Sequence, residues 1–439
     1  MTLAELHKKA TAISLAAFAF SLTSTGQNRA DGFYKDIFMD SGIYLTSRVD
    51  LPAARFLNMS MEEFVSTSHK DTTTSLSAID TLLQKNTFVG SDIDQNGVLL
   101  YPDGEPRFKV LYINGGRATS HGRSLSPEGV ARIREYIMNG GSVVGTCAGA
   151  FFASAGTYTD SVELNPHYSG IYPGLTRSTR LAESQTDMDI EPGSALLKYY
   201  DFGGDMKVDS VRHNGGCFAY TGEMFPSGTE ILARYQTGDR ELKRRISGEP
   251  SIWAYKADDG SGRVVSCGSH PEGVTSGERL ELMSAMLLYA IEGNGAPKVK
   301  AELKSGEVRD MTGRSSDGDP SHTAIGDRQY HHFLIDVPAK TASVTITLTP
   351  KKGYENFDLY LYAAEDELCF NDNATFKNVG LGAAKTLTID SPAKGRLYVS
   401  VFCDDTVEAT QTKWGTQYSG MIEVLNGVPY SIVVEMTSK

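Results

Sequence analysis

Ser142-Val143-Val144-Gly145-Thr146-Cys147-Ala148-Gly149-Ala150-Phe151-Phe152-Ala153-Ser154 is the stretch on which the fold reading turns. A β-branched run enters a Gly-Thr-Cys-Ala-Gly corner and leaves as an apolar, helix-like segment. Such a strand-to-helix corner needs small residues on both sides of the cysteine, because bulk there collides with neighbouring backbone. It lifts the sulfur above the sheet edge at a helix N-terminus, where the macrodipole and free N–H groups favour thiolate over thiol. The backbone N–H of Ala148 then faces the position where an oxyanion develops. These five residues alone are explained about as well by a buried structural cysteine in a Gly-rich turn.

Working outward, apolar β-type runs alternate with helical patterns between residues 108 and 292. FKVLYI (108–113) predicts a strand and PEGVARIREYIMNG (127–140) a helix. In the latter Val130, Ile133, Ile137 and Met138 recur at helical spacing, Pro127 suits the first turn, and Gly140 and Gly141 suit the exit. GRVVSCGSH (262–270) predicts a strand running into a loop, and GERLELMSAMLLYAIEG (277–293) an amphipathic helix that closes the unit. Upstream, a strand is expected around IFMDSGIYL (37–45) and a helix around PAARFLNMSMEEF (52–64), before a Ser/Thr-rich stretch at 66–77. After Gly293, GNGAPK and GRSSDGDPSH read as linker. Short β-type runs without helical pattern then indicate an antiparallel sandwich. The expected fold class is therefore α/β, a flavodoxin-like, mostly parallel sheet flanked by helices, followed by an all-β antiparallel sandwich. The expected layout is an α/β domain at 31–293, a linker at 294–325 and the sandwich at 326–439.

A chain of 439 residues exceeds what one core usually serves, which agrees with two domains. With 40% hydrophobic and 22% charged residues it is not a mostly disordered chain. A net charge of -12 and the lack of a Lys/Arg cluster argue against a nucleic-acid partner. Lys8 and Lys9 precede an uncharged, largely apolar stretch at 10–22, so residues 1–25 resemble a secretory signal peptide. That stretch is shorter than the roughly 20 apolar residues that span a bilayer. The expected location is secreted or periplasmic, with the cell surface as the other external address, and no membrane span after processing. Five cysteines are an odd set, leaving at least one thiol unpaired. Cys147 is the candidate for it, Cys369 and Cys403 are a candidate disulfide pair, and Cys217 and Cys267 read as buried thiols. No spacing suits a zinc site, and no metal or cofactor is expected.

Two further segments end predicted strands. In Ser269-His270-Pro271-Glu272-Gly273 a carboxylate one residue beyond a histidine can hold its tautomer while the other ring nitrogen faces a thiol. In Tyr112-Ile113-Asn114-Gly115-Gly116 exposed backbone N–H groups can complete an oxyanion hole. Alone, each is usually a surface turn. Together and in this order with GTCAGAFFAS, they resemble the class I glutamine amidotransferase-like superfamily, and within it the biotin-protein-ligase N-terminal-like branch. That resemblance implies Cys147 as nucleophile, His270 as general base and acid, Glu272 as its orienter, and Gly115, Gly116 and Ala148 as oxyanion donors. His213-Asn214-Gly215-Gly216 looks like the branch's loop near the pocket, which implies Asn214, Gly215 and Gly216 as substrate-binding residues. The segments GDRQYHHFLIDVPAKTASVTITL and ENFDLYLYA resemble the pre-peptidase C-terminal sandwich carried by secreted bacterial hydrolases. His331 and His332 there are adjacent, so they point to opposite faces of a strand and read as structural.

No synthetase or biotin-ligase catalytic domain accompanies these motifs, which disfavours ammonia channelling. The expectation is an exported cysteine hydrolase of amide or peptide bonds, acting on a small-molecule or peptide substrate through an acyl-enzyme. The alternatives are a binding or scaffold protein that keeps the fold without turnover, and intracellular glutamine-dependent transfer with a separate synthetase subunit. A carboxylate contact from Arg117, Arg123 or Arg177 is weighed against ordinary surface arginine, which is the reading taken.

Overall fold

The computed structural model describes residues 31–42, 44–45, 51–65, 78–182, 184–236, 246–314, 318–412 and 415–439. The signal-peptide reading of 1–25 and the Ser/Thr-rich stretch at 66–77 lie outside them. In chain order the first domain comprises β1 (Lys35–Ser41), α1 (Pro52–Phe56), β2 (Met61–Val65), α2 (Ala78–Val89), β3 (Phe108–Ile113), α3 (Ala118–Met138), β4 (Ser142–Thr146), α4 (Ala148–Ala153), β5 (Ser154–Tyr158), β6 (Val162–Leu164), β7 (Tyr172–Ser178), β8 (Ser184–Ile190), β9 (Lys207–His213), β10 (Cys217–Ala219), β11 (Glu230–Gln236), β12 (Pro250–Lys256), β13 (Arg263–Cys267) and α5 (Glu278–Glu292).

Nine of these strands form one sheet in the order β2-β1-β3-β4-β13-β12-β11-β8-β9. The pairings from β2 through β13 are parallel and those from β13 to β9 antiparallel, so the sheet is mixed. A second, four-stranded sheet, β10-β7-β5-β6, follows the elbow. Strand alternation sorts the core: Val110, Tyr112, Val144 and Val265 pack with α1 and α5, whereas Leu111, Ile113, Val143 and Val264 pack with α2, α3 and α4. Parallel strands covered on both faces are continuously apolar, which is why FKVLYI is buried throughout.

Local chemistry adjusts three expectations. The reading of 52–64 as one helix stops at Phe56, because Asn58 takes a left-handed backbone (φ 52°) and the chain re-enters as β2. α3 begins earlier than expected but breaks at Ser126 (φ 66°), just before Pro127 opens its second part. Met138 there is 70% exposed, since it sits one residue, about 100° of helix, past the buried Ile137. The stretch read as linker, 294–325, instead supplies strands Val299–Glu302 and Val308–Met311 to the two sheets of the sandwich.

That sandwich has a five-stranded and a four-stranded sheet around one aliphatic core. The expected Cys369–Cys403 disulfide is not formed, and both thiols are free. Cys369 sits with Ser400 on one face of strand Gly395–Cys403 and hydrogen-bonds to it (3.1 Å). Cys403 lies three positions along the same strand and therefore points to the opposite face, in the other core cluster. His331 and His332 do divide between faces: His331 meets the Tyr430 hydroxyl (3.0 Å) and His332 the Ser400 hydroxyl (2.7 Å). Burial lowers both imidazoles, to about 4 and about 3, keeping them neutral.

The sandwich is fastened to the segment just before β3. The Arg107 guanidinium grips Asp327 with both nitrogens (2.6 and 3.0 Å), and Lys300 reaches Asp103 (2.5 Å) and Glu105 (2.9 Å). Gln329 also donates to Asp103, and Asn426 accepts from the Gln95 N–H (2.9 Å). Arg107 and Asp327 are almost wholly buried, so losing one partner strands the other charge in a dry contact. Asp327→Ala should destabilise the chain by about 3–5 kcal/mol in urea unfolding, whereas replacing Arg107 by Met and Asp327 by Leu together should cost much less.

Candidate active site

Cys147 forms the corner between β4 and α4 with a left-handed backbone (φ 48°, ψ -101°), a strained conformation for a side chain with a Cβ. The neighbouring glycines are steric requirements. A Cβ on Gly149 would stand 2.0 Å from the Ile113 carbonyl oxygen, and one on Gly145 2.6 Å from the Gly149 carbonyl carbon. The Cys147 N–H donates to the Cys267 carbonyl (2.9 Å), extending the β4–β13 ladder one residue past the strand, and the Gly149 N–H donates to the Asn114 carbonyl (3.1 Å). Three strand ends, carrying Asn114, Cys147 and Cys267, are thus stitched at one point. α4 has only six residues, so its macrodipole is short and the main charge beside the sulfur comes from the histidine.

The loop after β13 brings His270 to that point. Its N–H donates to the Arg212 carbonyl (2.8 Å) and its ring Nδ1 to the Glu272 carboxylate (2.9 Å). Burial disfavours charge on the ring, but the nearby Cys147 sulfur and the hydrogen-bonded Glu272 carboxylate outweigh it and raise the imidazole from 6.5 to about 10. Cys147 and Glu272 are buried and His270 is partly open.

The expected glycines fall into distinct positions. Gly115 lies against the imidazole, where a Cβ would come within 2.3 Å of His270 Cε1. Gly116 (φ +143°) passes under the Tyr44 carbonyl, and Ala148 follows the sulfur as the first helical residue. The Asn214 carbonyl accepts from the Cys147 thiol at 3.7 Å, and Gly215 forms the exposed loop tip (φ +71°). Gly216 is buried instead: its carbonyl is taken by the Thr179 N–H and hydroxyl, and a Cβ on it would lie 1.7 Å from the Gly268 carbonyl oxygen. It holds the loop from beneath rather than facing a cleft.

Sequence reasoning missed His213 as an individual. It is fully buried, linking the Thr179 hydroxyl (2.6 Å) and the Ser269 hydroxyl (2.8 Å), and Ser269 also reaches the Tyr235 hydroxyl (3.2 Å). Burial and the nearby charge of His270 lower it to about 4, so it serves as a neutral strut between the Asn214 loop and the loop that carries His270. Its sequence signal was its place immediately before Asn214-Gly215-Gly216. His121 is likewise buried, 3.0 Å from Asp40 and 3.2 Å from Gln84. Among the described residues, no group of three or more His, Cys, Asp or Glu side chains is placed to hold a metal ion. Gly115→Ala tests the packing: by pushing the ring aside it should slow alkylation of Cys147 by iodoacetamide about ten-fold while the thermal midpoint moves by only a few degrees. The readout is modified-peptide mass spectrometry over time.

Comparison with known proteins follows the same lines. The family model described as "Biotin-protein ligase, N terminal" matches residues 64–285, just over half of the chain and the whole span holding the three strand-end motifs. An uncharacterized protein of Chlamydia muridarum (strain MoPn / Nigg) is 29% identical over 174 residues, which cover 38% of this chain and 62% of that one, so the match spans less than two thirds of the relative. Among solved structures, a glutamine amidotransferase is similar at 17% identity, covering 57% of this chain and 97% of its own, with a TM-score of 0.34. The pre-peptidase C-terminal domain of a Bacillus anthracis collagenase is similar at 14% identity, covering 32% of this chain and 100% of its own, with a TM-score of 0.19. No helix among the described residues is long and apolar enough to cross a membrane. By the span and content of the family match, this chain belongs to the biotin-protein ligase N-terminal family.

Proposed function

We propose that the chain is a cysteine-dependent hydrolase of amide or peptide bonds that works through an acyl-enzyme on Cys147. The observation that carries this reading is the placing of the hydrogen-bonded His270–Glu272 pair (2.9 Å) beside the Cys147 corner at the strand ends, near enough for sulfur and carboxylate to raise the imidazole. The thiolate is the attacking species in such chemistry, and an imidazole beside the sulfur is the group that takes the thiol proton. In the proposed cycle the sulfur adds to the substrate carbonyl carbon, and the oxyanion is met by backbone N–H groups of Ala148 and the Gly115-Gly116 turn. His270 then passes its proton to the leaving amine as the C–N bond breaks. Water attacks the thioester while His270 takes a proton from it, and expulsion of the sulfur restores the resting site. Glu272 keeps the ring oriented and stabilises its charge throughout. The N-terminal pattern supports an exported location, where water is the abundant acceptor; sequencing the N-terminus of the secreted protein tests that part.

Labelling with a thiol-directed acyl electrophile should modify Cys147 near neutral pH and vanish in Cys147→Ala. His270→Asn should slow it by an order of magnitude or so. Persistence of full labelling in His270→Asn, or an unreactive Cys147 in the intact protein, would favour a non-catalytic scaffold.

The pH dependence has a definite sign. His270 carries its proton until about pH 10, so turnover that needs it as acid should hold through neutral pH and fall as pH rises through about 10. Glu272→Gln removes one of the charges that raise the ring, so the same alkaline fall should begin about one pH unit lower. A pH–rate profile on any amide substrate found in a screen measures both.

A further inference from the structure

Beside the site, on the second sheet, lies a cleft of about 480 Å³ walled by Tyr158, Arg177, Thr179, Arg180, Phe218 and Glu249, with Asp160 at its rim. Its volume suits a small ligand or a substrate end. Thr179 ties it to the chemistry. Its N–H and hydroxyl both hold the Gly216 carbonyl, its hydroxyl meets His213, and the Leu181 carbonyl two residues on accepts the Gly215 N–H (2.5 Å). The loop so pinned is the one whose Asn214 carbonyl takes the Cys147 thiol. Two residues of loop and these contacts put the cleft wall no more than roughly 15 Å from the sulfur.

The charges in the cleft are arranged unevenly. Arg180 projects from a left-handed backbone (φ 57°) whose N–H is held by the Ser178 hydroxyl (3.2 Å), and its exposed guanidinium makes no ion pair among the described residues. A non-glycine residue in that conformation costs free energy, and such strain clusters at ligand sites. Arg177 stands across from Glu249 and near the stacked Tyr158–Tyr220 pair, close enough to act on them electrostatically but outside ion-pair distance of any described carboxylate. Two guanidiniums with no ion pair among the described residues suit a planar, singly charged oxyanion, while Asp160 and Glu249 disfavour a doubly charged one.

We infer that this cleft is a substrate subsite that receives a carboxylate, so that the amides taken at Cys147 belong to molecules ending in a free carboxylate within roughly 15 Å of the reacting carbonyl, such as short peptides or acyl-amino acids. The inference rests on the proposed cysteine chemistry and reverses the reading of Arg177 as ordinary surface.

The test uses the full chain and three chloromethyl ketones of equal length, ending in a carboxylate, a carboxamide or a phosphonate about eight bonds from the electrophilic carbon. On the unmodified protein the carboxylate probe should alkylate Cys147 about ten-fold faster than the carboxamide, and also faster than the phosphonate. In Arg177→Gln/Arg180→Gln, confirmed as folded by an unchanged thermal midpoint, the carboxylate-to-carboxamide ratio should fall to about one. Equal rates for carboxylate and carboxamide on the unmodified protein, or a preference that survives in the double variant, overturn the subsite while leaving the nucleophile standing. A faster phosphonate overturns the carboxylate assignment. Failure of every probe to modify Cys147 overturns the cysteine chemistry itself, and the subsite with it.

Discussion

The hydrogen bond from the Cys147 N–H to the Cys267 carbonyl, 2.9 Å, carries the geometry of the strand ends. It continues a parallel ladder past the last regular residue of β4, at a cysteine whose backbone has already turned left-handed. That conformation is disfavoured for an isolated residue. It persists because the chain on either side is crowded into place: Gly145 and Gly149 touch across the corner, and Gly149 rests on the Ile113 carbonyl. From this anchored corner, the three residues after Cys267 deliver His270 to the sulfur. The histidine's charge, in turn, depends on Glu272 two residues later. A local backbone strain is thus held by long-range contacts.

The two ends of the sheet divide the work. At the end where β3 begins, buried ion pairs hold the sandwich: Arg107 immediately precedes Phe108, and Asp103 and Glu105 lie just before it. At the end where β3 stops, Asn114 and the glycine pair meet the elbow. Six residues of strand, about 20 Å, separate them. The attachment of the second domain therefore leaves the strand ends around Cys147 to the loops of the first. Buried charge at the attachment is costly to desolvate, and bidentate geometry with several donors per carboxylate is what offsets it. Desolvation also governs His213, His331 and His332, which it keeps neutral even with the Asp103 carboxylate 3.6 Å from His331.

Much of this was legible from residues alone. The elbow announced itself because small side chains at Gly145, Ala148 and Gly149 have a steric cause that acts within five residues. The strand 108–113 and the helix after Pro127 were legible because burial on both faces and a 3.6-residue period leave a direct trace in side-chain polarity. The helix expected through residue 64 failed where Asn58 turned the chain, a left-handed residue that a count of apolar positions does not register. The disulfide expected between Cys369 and Cys403 failed because strand alternation sends the two thiols to opposite faces, which depends on a pairing partner the sequence does not name.

What residue order determined by itself was whatever depends on near neighbours: the corner at Cys147, the His-Pro-Glu turn, the period of the helices, and the class of both domains. Only tertiary structure decided which distant groups share a point in space. It placed Asn214 against the sulfur, made His213 a strut between Thr179 and Ser269, gave Gly216 to packing rather than to a pocket, and turned the supposed linker into sheet. The reason is physical: propensity and pattern act over a few residues, whereas hydrogen bonds, burial and charge act across space between segments that only the folded chain brings together.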